Sequence, residues 1–197
     1  MIPVKCALNR VTDAAPLLHQ LECGKVAPGT VKARNAALGS LDSQVGSVLD
    51  AYKGAEFYVD YEPGPEGWKL PEVRAWARQL GGRVPGALGF FGASFVDSLL
   101  AEEPEEAKAV AAAFAGIILP AYHGVADPEK HERVLRRRLE RLEASGIPFG
   151  CAVCTTYHPS IGAPLAGTPV PPEHFAGGLA IVGASRSRFA MVWTPRP

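Results

Sequence analysis

No excess charge of either sign marks this chain: 20 Lys and Arg residues balance 20 Asp and Glu, and the sequence pI is about 7.0. A balanced surface has no global field to draw a nucleic acid or an anionic membrane. That counts against a free-standing DNA binder and leaves only a local basic patch as a route to one. Cysteine is scarce, with four residues in 197. So few do not make a disulfide framework at this length, and in a reducing compartment they are thiols or ligands. The longest strongly apolar run lies near Ala109–Leu119 and is too short to span a bilayer. The basic start, apolar core and small-residue cleavage site of a secretory signal are missing, so the expected location is cytoplasmic, with no membrane partner. Also missing are a Walker-type loop, a dinucleotide fingerprint, a nucleophile elbow, a zinc-protease helix and any internal repeat.

What is there suits a soluble globular chain: 47% hydrophobic and 20% charged residues. The length favours one domain with at most a small appendage. Residues 1–42 read as a helical appendage. Val4, Leu8, Val11, Leu18 and Leu21 have roughly helical spacing over Val4–Cys23, and Gly24 ends that segment. Thr30 is placed to cap a second helix through Leu41, so the pair resembles half of a helix-turn-helix.

Residues 43–197 read as the main domain. Gln44–Leu49 and Glu56–Tyr61 are strand candidates around a turn at Asp50–Gly54. Pro71–Leu80, Gly89–Ala101 and Pro104–Gly116 are expected helices. Asp127 and Pro128 open the clearest helix, Gly146 ends it, and Val134, Leu135, Leu139 and Leu142 form its apolar stripe. Ile147–Val153, Ile161–Gly167, Gly178–Val182 and Phe189–Trp193 are the remaining strand candidates. Strands at both ends with helices between them predict an α+β fold with a largely antiparallel sheet.

Cys151-x-x-Cys154 with His158 is the sharpest chemical constellation. Thiolate and imidazole suit zinc or iron, but a structural zinc site needs four ligands, and Cys6, Cys23, His123 and His174 offer no matching spacing. The alternatives are buried residues beside a pocket, a metal or redox centre, and a reactive thiol near His158. His123 reads as a loop residue, and Trp76 with Phe90 and Phe91 as core or interface. The arginines at 133, 136, 137, 138 and 141 interleave with Glu129, Glu132, Glu140 and Glu143 as a salt-bridged, solvated helix face. Asp60 and Glu62 read as a charged strand edge.

Several segments, in order, resemble the effector-binding domain of IclR-type transcription regulators. They are Glu56-Phe-Tyr-Val-Asp60, Gly82-Arg-Val-Pro85, Leu119-Pro-Ala-Tyr122, Ala126-Asp-Pro128, Tyr157-His-Pro-Ser-Ile-Gly162, Leu179-Ala-Ile-Val-Gly183 and Ser187-Arg-Phe189. The resemblance spans roughly Gln44–Phe189. It implies a GAF-like sheet flanked by helices, a pocket for small carboxylates or aromatic acids, and a homo-oligomer. The family's ligand-binding glycine and small residues correspond to Phe90 and Phe91, beside Gly92. Its hydroxyl-bearing positions correspond to Ala180 and Val182, and a common cysteine to the neighbourhood of Ala163. Cys154, Tyr157 and His158 complete the implied lining. This pocket would be more apolar than usual and suit a bulky or aromatic acid. DNA binding is not expected, because residues 1–42 are too few for a full winged helix.

The leading expectation is therefore a ligand-binding module in which no residue is catalytic and no cofactor is needed. The alternative is a metal- or thiol-dependent redox protein or enzyme using Cys151, Cys154 and His158, with zinc or iron bound.

Overall fold

A computed structural model describes residues 4–10, 17–22, 31–36, 57–62, 64–101, 103–188 and 190–195. Its elements, in chain order, are β1 (Val4–Arg10), β2 (Leu17–Glu22), β3 (Val31–Ala36), β4 (Phe57–Glu62), α1 (Gly64–Trp68), α2 (Pro71–Arg83), β5 (Leu88–Phe90) and α3 (Gly92–Ser94). A π-helical turn, Phe95–Leu100, continues α3. Then come α4 (Pro104–Ala111), β6 (Gly116–Pro120), α5 (Pro128–Ser145), β7 (Phe149–Cys154), a 3₁₀ turn at Pro159–Ile161, α6 (Pro172–Ala184) and β8 (Ala190–Pro195). The chain divides into two compact units, residues 1–11 with 25–118, and residues 12–24 with 119–197.

In the first unit β4 pairs in parallel with β5, and β5 with the Gly116–Ile118 part of β6. β1 pairs antiparallel with β3 on one side and β4 on the other. Helix α2 begins with Pro71, whose missing N–H costs nothing at a helix start. It buries Val73, Trp76, Ala77 and Leu80, one face at helical spacing. That face joins an aromatic core in which Trp68 stands edge-on to Tyr61, Phe91 and Phe95, while Phe91 stacks on Phe95 at 5.1 Å. Arg74 is buried. It donates to the Lys69 carbonyl at 3.1 Å and pairs with Glu103, just before α4.

In the second unit β7 and β2 flank β8, each pairing with it in parallel. Phe149 through Val153 are all buried, as expected of a parallel strand covered on both faces. Helix α5 carries its own punctuation. The Asp127 carboxylate accepts from the main-chain N–H of Glu129 and Lys130 at 3.0 and 3.2 Å, and Gly146 closes the helix in the left-handed region at φ 72°. Its buried face is His131, Leu135, Leu139 and Leu142. Helix α6 packs against α5 and β7. Among the described residues no helix is long and apolar enough to cross a membrane.

The fold class is α/β, which corrects the expected α+β, GAF-like, largely antiparallel sheet. In the first unit β4, β5 and β6 pair with one another only in parallel, and in the second β7 and β8 do the same. The reason lies in the order of elements: a helix crossover follows each of β4, β5, β6 and β7, and such crossovers return the chain in the same direction. Three local expectations fall with it. Val4–Arg10, Leu17–Glu22 and Val31–Ala36 are strands, so the appendage expected at residues 1–42 is not helical where it is described. Val4, Cys6 and Leu8 alternate with Lys5, Ala7 and Asn9, a strand period that competes with the helical spacing of Val4, Leu8 and Val11. Ile161–Gly167 holds the end of a 3₁₀ turn and further turns, and Gly178–Val182 lies inside α6. The helix expected over Gly89–Ala101 begins only at Gly92, after β5. The strand at Gln44–Leu49 and the turn at Asp50–Gly54 lie outside the described residues.

Candidate functional site

In open α/β sheets ligands gather beyond the carboxyl ends of the parallel strands. In the second unit the carboxyl end of β6 leads into Ala121–Gly124, and that of β7 into residues 155–171. The first segment is held by the Ala121 N–H, which donates to the Ala152 carbonyl at 2.6 Å. The second folds back on itself: Tyr157 donates to Thr168, Gly167 to Tyr157 and Val170 to Thr155. A main-chain bond joins the two segments, from His158 N–H to the His123 carbonyl at 2.9 Å.

This join brings four rings together. Tyr122 and His158, both half-buried, stack with centroids 5.6 Å apart. The His158 Nδ1 lies 2.8 Å from Ser160 Oγ and accepts the Ser160 main-chain N–H at 3.1 Å. An accepting Nδ1 places the ring proton on Nε2. His123 and Tyr157 are buried and meet edge to face.

Behind them the His123 ring stacks on His131 of α5, centroids 3.9 Å apart and planes 22° from parallel. His123 Nε2 faces the His174 carbonyl on α6 at 3.2 Å. A carbonyl only accepts, so Nε2 carries the proton and Nδ1 keeps a lone pair. That Nδ1 and the His131 Nε2 are buried with no hydrogen-bond partner among the described residues. Burial holds the His123 imidazole below the usual histidine range, against the pull of the His174 carbonyl. Burial pushes His131 down to about 4, helped by the His123 ring and by Arg138. Both are neutral near pH 7, so the pair offers lone pairs and N–H groups and no positive charge.

The sequence-derived site residues are dispersed. Phe90, Phe91 and Gly92 lie in the first unit, where Phe91 is part of the aromatic core. Cys154, Tyr157, His158, Ala163, Ala180 and Val182 lie in the second. Ala163 is exposed and precedes Pro164 through a cis peptide bond. Ala180 is exposed and Val182 buried, both on α6 rather than on a strand.

The Cys151, Cys154 and His158 constellation is also split. Cys151 is fully buried in β7, and burial pushes its thiol up to about 12, against a hydrogen bond from Ser187. Cys154 ends the strand with its Sγ 3.3 Å from Thr156 Oγ1. Among the described residues, no group of three or more His, Cys, Asp or Glu side chains is placed to hold a metal ion.

Sequence reasoning treated His123 as a loop residue and passed over His131. The signal for His131 was its position four residues before Leu135 on the apolar stripe of α5, where a polar residue needs a reason to be buried. No protein-family model, curated protein or solved structure matches this chain.

Proposed function

We propose that the chain is a small-molecule-binding module whose ligand, an organic acid with an apolar or aromatic body, sits at the carboxyl ends of β6 and β7. The observation that carries this reading is the half-buried Tyr122–His158 stack, tied to the buried His123 through the main chain. Its flat face suits an apolar or aromatic body. The resemblance to the IclR effector domain does not carry the proposal, since two segments matched to its closing strands are a 3₁₀ turn and a helix here. A thiol-based redox reading draws no support from Cys151, which stays a neutral, buried thiol near pH 7. The proposed setting is the cytoplasm, with the chain acting as a homo-oligomer and without DNA. These points rest on cysteine usage, charge balance and analogy.

Thermal unfolding and side-chain NMR with benzoate, phenylacetate and glyoxylate test the proposal. Benzoate or phenylacetate is expected to raise the melting temperature and shift the Tyr122 and His158 resonances, with glyoxylate weaker. Unchanged melting and unchanged resonances with both aromatic acids at ~10 mM, beyond the reach of a millimolar Kd, would overturn it.

A further inference from the structure

The stacked pair His123–His131 does more than fill space between elements. His123 stands on the segment after β6, His131 on α5, and α6 closes over both at Gly178. We propose that this pair is an acid-operated latch: a proton added to it drives the rings apart and releases α6 from α5.

The geometry supplies the force. Two imidazoles with centroids 3.9 Å apart cannot both become cations without strong repulsion, and a single cation there is cut off from water. The surrounding charges do not remove that penalty. On α5, Arg138 opposes a proton on His131, while Glu132 lies beside Gly177 of α6 and 3.7 Å from Arg136. Asp127 is engaged in capping α5. On α6, Glu173 occupies the first turn, and the His174 ring opposes a proton on His123 while its carbonyl holds Nε2. From the segment after β7, the Tyr157 ring stands perpendicular to that of His123, and His158 bonds to the His123 main chain.

The direction follows from linkage. His131 is held at about 4 in the folded chain against 6.5 when unperturbed. An opened or unfolded form therefore takes the proton first as the pH falls. The contribution of the closed pair is whole above about pH 6.5 and is lost progressively as the pH drops toward about 4, where the loss levels off. Opening would also disturb the Tyr122–His158 stack through the His123 carbonyl; only this last link rests on the ligand-binding reading.

The test uses the full chain without ligand. Imidazole resonances are followed from about pH 7.5 to about pH 4.5, together with amide exchange at Ile181 and Val182 of α6, corrected for intrinsic pH dependence. His131 is expected to titrate well below its ordinary range. Protection in α6 should fall about tenfold per pH unit once the pH is below about 6. His131→Leu extends the Leu135, Leu139 and Leu142 face and should leave α6 protection much flatter with pH. An ordinary titration of both histidines with pH-independent α6 protection overturns the latch, and this wild-type measurement decides even if the variant does not fold. An unchanged pH profile in a folded His131→Leu protein overturns it as well.

Discussion

A side chain at Gly178 would point at the histidine pair: its Cβ position lies 3.4 Å from His123 Cε1 and 3.6 Å from His131 Nε2. Those are contact distances, so a methyl group fits and little more. Gly178→Ala is expected to be neutral or to stabilise the protein by up to ~1 kcal/mol, because alanine is the better helix former. Gly178→Leu should cost ~1–3 kcal/mol by forcing the rings aside. Urea denaturation of the two variants checks the contrast. Equal stabilities would show that α6 does not close over the rings at this point.

Two adjacent glycines in α2 make a sharper pair. A Cβ at Gly81 would lie 2.5 Å from the main-chain oxygen of Ala113, whereas one at Gly82 meets nothing within 4 Å. Gly81→Ala must move backbone and should destabilise by ~1–3 kcal/mol. Gly82→Ala should stabilise by ~0.5–1 kcal/mol, through helix propensity and a less flexible unfolded chain. Denaturation midpoints with matched slopes are the readout.

Cysteine labelling separates the two thiols of β7. Cys151 is sealed and held as a thiol, while Cys154 is partly exposed at the strand end. Alkylation by iodoacetamide at about pH 8, mapped by mass spectrometry, should modify Cys154 at least ~10-fold faster than Cys151. Comparable rates would mean that β7 opens readily, or that Cys151 is not buried as described.

The local half of the fold was legible in the sequence. Asp127, Pro128 and Gly146 mark the limits of α5, because each acts through its own backbone or its immediate neighbours. Pro71 and Pro104 mark helix starts in the same way. The apolar run at Gly178–Val182 was ambiguous, since a short buried run looks alike as strand or helix. Pro172, six residues upstream, resolves it by standing at the first helical position. Strand direction was less accessible. It depends on whether a helix intervenes: with β5 and β6 not read as strands, and Ile161–Gly167 and Gly178–Val182 read as strands, the alternation of strand and helix was lost and an antiparallel sheet was expected. The histidine pair was hidden for a similar reason: His123 and His131 are eight positions apart, and only the turn at the start of α5 stacks their rings.

The bond from the His158 N–H to the His123 carbonyl ties the segment after β6 to the segment after β7. Much of the conformational freedom of both is already lost when the chain folds. A visitor that grips one segment therefore meets the other in place, and less disorder remains to oppose its capture.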